Sequence, residues 1–334
     1  MIRDMQMTHV PRRRFLAPLL AALALVGLVA VPAEARQQTE HERIVAFWTH
    51  ERVAKAVPRD FVLDPASGRI SPARRPGGGG GGAVTGASWT KGGEVLTASG
   101  KVLFSLGSSY YVCSAAVVDD NKNDRSIILT AAHCVFDPST GFASNWIFIP
   151  EYDTAPVRLS GSFCASTVHG CWSASSIIVS DQFASEPGFT TTAVQHDYAF
   201  VVVGAGGKSN SQLDGVVGSF PISFSGVSAS TDAYLFGYPA AGKYKGTDLV
   251  YSRGPIGFDT YTSNTTYRVT SNMTGGSSGG PWFSSFNEST GTGTLMSVNS
   301  YGYTGITAMF GPILNSETSG MFSAALTASG NVRF

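Results

Sequence analysis

The chain has 334 residues, of which 43% are hydrophobic and 14% charged, and its 23 basic and 23 acidic residues give a formal net charge of zero. This amount of apolar material is enough for one large core or two ordinary ones, so a disordered chain is excluded. Lysine and arginine are too few for a dedicated nucleic-acid-binding protein.

The charges are unevenly distributed along the chain. Residues 1–82 hold 12 basic and 7 acidic residues, a balance of +5, and the remainder holds 11 basic and 16 acidic residues, a balance of −5. Six consecutive glycines, Gly77 to Gly82, lie at this boundary. The asymmetry favours an N-terminal part that is discarded and a mildly acidic mature domain that starts near Ala83.

Residues 1–35 are typical of an export signal peptide. Arg12 to Arg14 precede an apolar run from Phe15 to Val31, and Ala33-Glu34-Ala35 supplies a small-residue cleavage site. An uncleaved membrane anchor is the alternative, but the run is short for a span and contains a proline. The order Arg-Arg-x-Phe-Leu at residues 12–16 resembles the twin-arginine export motif, and the export route stays open. We expect a secreted, periplasmic or extracellular protein with no stable membrane insertion after cleavage.

Residues 36–82 are predicted to be a pro-segment with a Gly-rich linker. Apolar residues between Arg43 and Ala56 follow a loosely helical spacing, which favours one amphipathic helix laid on a partner surface. From Pro58 to the glycine run, prolines, paired arginines and glycines indicate a stretch that buries no surface and can be cut. An inert linker is the alternative to an inhibitory segment.

From Gly92 onward the pattern is that of an all-β protein. Short runs rich in Val, Ile, Tyr, Phe, Ser and Thr are separated by Gly, Asn, Asp and Pro about every ten residues, as in a sandwich or barrel. The predicted strands include Val102 to Leu106, Tyr110 to Val118, Ser126 to Ala131, Ala199 to Val203, Ala233 to Phe236, Thr266 to Val269 and Leu295 to Val298. The best helical stretch, Met321 to Leu326, is short.

The first sequence with chemical potential is Thr-Ala-Ala-His-Cys at residues 130–134, directly after an apolar run. A strand would end there and present His133 at its rim, and an imidazole with an unperturbed pKa of about 6.5 suits proton transfer. A structural histidine is the alternative. Cys134 follows it directly, and Cys113, 21 residues earlier, is a natural disulfide partner in an exported chain.

The second is His-Asp-Tyr-Ala-Phe at residues 196–200, which leads into an apolar strand. A carboxylate at the mouth of such a strand needs a partner, because burying an isolated charge is costly. The imidazole of His133 would suit, since an aspartate there accepts from Nδ1–H and selects the tautomer. An Asp197 that caps a turn is the alternative. We expect His196 to be uninvolved.

The third is Thr-Gly-Gly-Ser-Ser-Gly-Gly-Pro-Trp at residues 274–282. Glycines let the backbone turn sharply and point several N–H groups at one spot, as an oxyanion hole requires. Ser278 would be the nucleophile, and its hydroxyl reacts only with a base within hydrogen-bond reach. His133 is the histidine that the pattern places best.

In this order, T-A-A-H-C, D-Y-A-F and G-x-S-G-G-P resemble the chymotrypsin/trypsin-like serine peptidases, from about Gly92 to the C-terminus. The resemblance implies an all-β peptidase domain, residues 83–334, of two packed six-stranded antiparallel barrels at about 92–205 and 206–334. His133 and Asp197 would come from the first barrel and Ser278 from the second.

The resemblance also implies the chemistry. The backbone N–H groups of Gly276 and Ser278 would be the oxyanion donors. The expected protein is a secreted serine endopeptidase that forms an acyl-enzyme with polypeptide substrates, a monomer with no cofactor and no metal. In trypsin-like zymogens an aspartate before the nucleophile binds the newly freed N-terminus, and Ser277 stands at that position here. We therefore expect the pro-segment itself to block or template the site.

The Gly275-Gly276 and Ser277-Ser278 arrangement resembles the bacterial glutamyl-endopeptidase-like branch, but the substrate pocket is expected to differ from the pocket of that branch. Asn299 stands where that branch has a histidine that holds an acidic P1 side chain, so we expect an uncharged P1 preference. Asn272 and Met273 are expected to line the pocket floor. Ser300, Tyr301 and Gly302 are expected to pair with the substrate backbone as an added strand.

Three alternatives remain. Gly276 to Gly280 also fits the nucleophile elbow of α/β-hydrolases, but all six histidines precede Ser278, whereas those enzymes place theirs after it. Zinc is the rival use of the four cysteines, but no C-x-x-C pair occurs and export favours oxidation, so Cys164 and Cys171 are expected to form a second disulfide. A catalytically silent exported β-barrel binding protein of the same fold is the non-enzyme alternative.

Overall fold

Two short helices begin the described part of the computed structural model, which covers residues 38–64, 70–72, 84–152 and 162–334. Helix α1 (Glu40–Phe47) starts at Thr39, whose hydroxyl accepts from the backbone N–H of Glu42 while the Glu42 carboxylate accepts from that of Thr39. Helix α2 (His50–Lys55) starts at Thr49 with a similar cap. The expectation of one helix is therefore wrong, because a second threonine cap starts a new helix. The predicted signal peptide lies outside the described residues.

Three short strands of the predicted pro-segment follow: β1 (Val57–Pro58), β2 (Phe61–Leu63) and β3 (Ile70–Pro72). Strand β2 pairs with β3 in antiparallel fashion, and its residues Val62 and Leu63 are buried. The expectation that this stretch buries no surface is wrong, because three consecutive apolar residues form a strand that enters the body of the protein. The glycine run lies outside the described residues.

Six strands between residues 99 and 203 close into an antiparallel barrel. The elements from residue 84 are β4 (Val84–Ser88), α3 (Glu94–Ala98), β5 (Ser99–Leu106), β6 (Ser109–Val118), β7 (Ser126–Thr130), β8 (Phe136–Asp137), β9 (Gly141–Phe142), β10 (Ser144–Pro150), β11 (Trp172–Val179), α4 (Asp181–Ser185) and β12 (Ala199–Val203). Pairing runs in the order β6, β5, β10, β11, β12 and β7, and β7 pairs again with β6. Every residue of β5, β7 and β12 is buried, so the apolar runs of the sequence build the barrel wall and its core.

The second half forms two sheets that face each other. Its elements are α5 (Leu213–Val217), β13 (Asp232–Gly237), β14 (Val250–Pro255), β15 (Gly257–Phe258), β16 (Thr266–Val269), β17 (Pro281–Asn287), β18 (Thr292–Val298), β19 (Tyr301–Tyr303), β20 (Met309–Pro312), α6 (Ser316–Ala325) and β21 (Val332–Arg333). One sheet has the order β18, β17, β13, β14, β4, and the other has the order β15, β16, β20, β19, β2, β3. The all-β expectation is confirmed. Strands β2 and β3 come from the predicted pro-segment, so that segment extends the second sheet at β19.

The core has two parts. The larger part fills the barrel and its surroundings, and the smaller part lies between the two sheets of the second half around Trp282, Tyr267 and Met273. Both predicted disulfides are present, Cys113–Cys134 and Cys164–Cys171. Within the described ranges, no helix has the length and apolar character needed to cross a membrane.

Candidate active site

His133 lies where strand β7 ends and a single turn of 3-10 helix, Ala132–Cys134, begins. Its ring Nδ1 lies 2.8 Å from Oδ2 of Asp197, and its backbone N–H donates to Oδ1 of the same carboxylate at 2.9 Å. Both residues are fully buried. Strands β7 and β12 pair so that Thr130 faces Ala199, which brings the residues just outside the two strand ends together.

A third donor holds the Asp197 carboxylate. The Ser300 hydroxyl donates a short hydrogen bond to Oδ2, the oxygen that also faces the His133 ring. Ser300 was expected only to pair with substrate, and no local sequence signal indicates this contact, because the two residues are 103 positions apart. The second half of the chain therefore helps to orient the histidine–aspartate pair of the first half.

The backbone of Ser278 lies against residues at the first disulfide, next to the histidine turn. Its backbone carbonyl accepts from the N–H of Ser114 at 2.7 Å, and the sulfur of Cys134 lies 3.7 Å from the same oxygen. Cys134 directly follows His133, and its disulfide partner Cys113 directly precedes Ser114. The disulfide therefore links the histidine turn to strand β6, whose Ser114 is hydrogen bonded to the Ser278 backbone.

The glycines around Ser278 are required by the backbone. Gly276 has φ +96°, and a side chain there would begin 2.9 Å from the carbonyl oxygen of Tyr238. The Gly275 carbonyl accepts from the N–H of Ala240 at 2.7 Å. Because N–H and C=O of one trans peptide point in opposite directions, the N–H of Gly276 points away from Ala240. Among the described residues, no acceptor is bonded to the backbone N–H of Gly276 or Ser278.

The predicted pro-segment occupies the cleft in front of these groups. The backbone carbonyl oxygen of Arg59 lies 3.1 Å from Nε2 of His133. The Phe61 ring packs edge-on against the His133 ring at 5.2 Å and stacks on Phe189 at 4.2 Å. Strand β2 pairs with Tyr301–Tyr303 in parallel register. Strand β2 of the predicted pro-segment therefore pairs with β19, the strand that was expected to bind substrate.

These contacts engage both sides of the His133 ring. Nδ1 faces the Asp197 carboxylate and Nε2 faces the Arg59 carbonyl. In this arrangement neither ring nitrogen is open to a serine hydroxyl.

The structure corrects the expected role of Asn299. Its side chain is fully buried, where Nδ2 donates to the carbonyls of Phe236 at 2.7 Å and Ser277 at 3.0 Å, and Oδ1 accepts from the Trp282 indole at 2.8 Å. All its hydrogen bonds are internal, because it lies behind the serine loop. It supports that loop and faces no open pocket.

The other residues expected to bind substrate differ in where their side chains lie. Met273 is fully buried in the smaller core, so its side chain packs away from solvent. Oδ1 of Asn272 accepts from the Tyr244 hydroxyl at 2.6 Å. The Tyr301 hydroxyl donates to the buried carboxylate of Asp259 at 2.7 Å. Gly302 lies opposite Val62 of the predicted pro-segment, which pairs with the backbone of this strand.

His196, expected to be uninvolved, bonds through Nδ1 to Glu317 at 2.9 Å. Glu317 also accepts from the Tyr198 hydroxyl, and burial together with this carboxylate raises the pKa of Tyr198 well above its usual range. The cluster connects helix α6 to the barrel and makes none of the His133 contacts described above. It therefore has a structural role.

A closed six-stranded antiparallel barrel packed with further antiparallel sheets is the fold of the chymotrypsin-like serine proteases. A family model described as a trypsin-like peptidase domain matches residues 113–291, more than half of the chain. The chain belongs to this family and is a serine endopeptidase.

Two solved structures agree with this assignment. The protease Anisep from Arthrobacter nicotinovorans is 33% identical, with 70% of this chain and 96% of that chain covered and a TM-score of 0.58. A thermostable serine protease, AL20, from an extremophilic microorganism is also 33% identical, with 70% and 100% covered and a TM-score of 0.59. A Glu endopeptidase in complex with MPD is 18% identical, with 68% and 89% covered and a TM-score of 0.48. No curated protein sequence matches this chain.

Proposed function

We propose that this protein hydrolyses polypeptides with Ser278 as the nucleophile, His133 as the general base and Asp197 as the residue that orients the histidine. The observation that carries the proposal is the buried pair of hydrogen bonds between Asp197 and both the ring and the backbone of His133. This pairing holds the ring with Nε2 directed toward the cleft, where the backbone of Arg59 now lies. A substrate would replace that backbone.

We infer the following reaction once residues 58–63 leave the cleft. Nε2 of His133 removes the Ser278 proton as Oγ attacks the substrate carbonyl carbon. The backbone N–H groups of Gly276 and Ser278 donate to the resulting oxyanion. The imidazolium then protonates the leaving amine, an acyl-enzyme remains, and a water activated by the same histidine releases the acid.

The same proposal includes export and latency. The basic, apolar and small-residue order of residues 1–35 supports secretion after signal cleavage. The segment from residue 38 to residue 72 supports a latent precursor, because its backbone is bonded to His133 and its strand fills the edge of β19. A carbonyl presented for attack would accept from the N–H groups of Gly276 and Ser278. The Arg59 carbonyl accepts from His133, so the segment is held without being cut at this bond.

Labelling with a fluorophosphonate tests the nucleophile. The full chain is folded, cut in the 73–83 stretch and separated from its pro-segment, and the adduct is then located by peptide mapping. We expect modification at Ser278, loss of labelling and of peptide hydrolysis in Ser278→Ala, and retention of both in Ser277→Ala, whose hydroxyl bonds only to the Thr274 carbonyl. A folded, segment-free protein that neither labels nor cleaves, yet binds polypeptides, would be a silent binding protein of this fold.

A further inference from the structure

A recess that binds a guanidinium group lies directly beside the candidate active site. The side chain of Arg59, whose residue is only 8% exposed, fills it. Nη1 donates to the backbone carbonyls of His133 at 2.7 Å and Phe136 at 3.1 Å, and Nη2 makes a short ion pair with the Asp137 carboxylate. Five donors in a planar fork suit this set of three separated acceptors.

The three acceptors of the recess lie outside the predicted pro-segment, and the Phe61 ring of that segment lies 5.6 Å from the guanidinium carbon. Asp137 ends strand β8, and its Oδ1 is held by the backbone N–H of Ser139 at 2.8 Å and by the Ser139 hydroxyl. Its Oδ2 remains directed at the arginine. The ring of Tyr111 lies 5.7 Å from the guanidinium carbon and forms a further wall. The Asp137 carboxylate, its Ser139 hydrogen bonds and the Tyr111 ring therefore do not depend on residues of the segment.

The electrostatics of the recess also favour a cation. Burial alone would raise the pKa of Asp137, but hydrogen bonds from Ser139 and the positive charge of Arg59 outweigh it and hold the pKa below its usual range. The carboxylate is thus charged at any neutral pH. The two carbonyl oxygens add negative potential on the same side.

The recess lies on one defined side of the cut site. The segment backbone runs along strand β6 first, where Val57 and Pro58 pair with Tyr111 and Val112, and the N–H of Arg59 donates to the Val112 carbonyl at 3.4 Å. It then crosses His133 and continues along β19. Strand β19 is the strand expected to pair with substrate, so the recess beside β6 lies across His133 from it.

We propose that the His133 and Phe136 carbonyls and the Asp137 carboxylate form a substrate subsite for an arginine side chain that follows the scissile bond. This inference rests on the proposed peptidase function and specifies its substrate. The pro-segment uses Arg59 as an occupant of the same subsite. Arginine is favoured over lysine, because an ammonium is a compact point charge and does not span the separated carbonyl and carboxylate acceptors with a planar fork.

Fluorogenic peptides that differ at one position test this subsite. The full chain is folded, cut in the 73–83 stretch and freed of its segment, and active sites are counted with a fluorophosphonate. At each of the first three positions after the cut, arginine, lysine, glutamine and citrulline are compared, since citrulline keeps the shape of arginine without its charge. At one of these positions we expect kcat/KM to be at least about tenfold higher for arginine than for citrulline, as loss of charge-assisted hydrogen bonds implies.

The variants localise the preference. In Asp137→Asn the arginine-to-citrulline ratio should fall to about 1, whereas the exposed Asp181→Asn, at the start of α4, should keep the wild-type ratio. A wild-type ratio near 1 at all three positions, with peptides still hydrolysed, overturns the subsite even where Asp137→Asn fails to fold. Absence of both labelling and hydrolysis would instead contradict the proposed peptidase function.

Discussion

The backbone carbonyl oxygen of Arg59 accepts a hydrogen bond from Nε2 of His133 at 3.1 Å. The same histidine is bonded through Nδ1 to Asp197, so both ring nitrogens are engaged inside the folded chain. One residue of the pro-segment therefore meets the candidate base through its backbone and the neighbouring recess through its side chain. The proposed release of the segment would therefore also free Nε2 of His133.

Arg59→Ala should weaken this latency. The substitution removes the ion pair with Asp137 and two hydrogen bonds to carbonyls, interactions that contribute about 1.5–3 kcal/mol when made to a charged group. We expect the uncut full chain to react with a fluorophosphonate about tenfold faster or more. Lys55→Ala, in the same segment but exposed and paired with Glu51 within α2, serves as the control. Equal rates for Arg59→Ala and the parent chain would contradict the anchoring role.

Ser300→Ala should lower turnover. The hydroxyl donates to the Asp197 oxygen that faces the His133 ring, so its loss leaves the carboxylate less firmly oriented. We expect kcat of the segment-free enzyme to fall about tenfold with little change in KM. Ser297→Ala is the matched control. Ser297 lies in the preceding strand, β18, and its buried hydroxyl donates to the Pro312 carbonyl. A change confined to KM would indicate a substrate contact instead.

Asn299→Ala should reduce stability and not alter P1 selection. It leaves the Trp282 indole N–H without its acceptor and removes the side-chain donor to the carbonyls of Phe236 and Ser277 in a buried site, and each lost hydrogen bond costs about 1–3 kcal/mol. We expect the free energy of unfolding to drop by about 3 kcal/mol or more in denaturant titrations. Asn272→Ala, which loses one bond to Tyr244, should cost only about 1 kcal/mol. A changed P1 profile with unchanged stability would restore Asn299 to the pocket.

The lowered pKa of Lys101 predicts that the free energy of unfolding rises with pH. Its buried ammonium donates to the Gly246 carbonyl at 2.7 Å and faces the Tyr152 ring, and burial lowers its pKa from 10.5 to about 8. Between these two values the unfolded chain holds a proton that the folded chain has lost, so the free energy of unfolding increases with pH.

We expect the difference in unfolding free energy between the parent chain and Lys101→Met to grow by about 2 kcal/mol from pH 8 to pH 10. Measurements stop there because burial raises the pKa of Tyr152 to about 12, and its titration opposes the trend at higher pH. Lys245→Met, at an exposed position, provides the control. A difference that stays constant over this range would contradict the shifted lysine.

Of the residues that the local pattern singled out, His133 and Asp197 are hydrogen bonded to each other, and the role of Ser278 stays a prediction. His133 stands at the end of an apolar strand, Asp197 before another, and Ser278 between glycines whose positive φ values only such residues adopt easily. Strand ends and glycine turns are local properties, so residue order alone is sufficient to locate them. The two disulfides could also be predicted from the sequence, because the cysteine spacing and the expected export of the chain favour them over a zinc site.

Only the tertiary structure decided which way Asn299 points, what Ser300 touches and where residues 57–63 lie. Asn299 and Ser300 are consecutive, yet one side chain supports the serine loop and the other reaches Asp197, because successive residues of an extended chain face opposite sides. In the sequence, residues 57–63 resemble a linker interrupted by proline. In the folded protein they pair with the backbone groups at the edges of β6 and β19. Pairing across such separations depends on the assembled sheets, and no local periodicity encodes it.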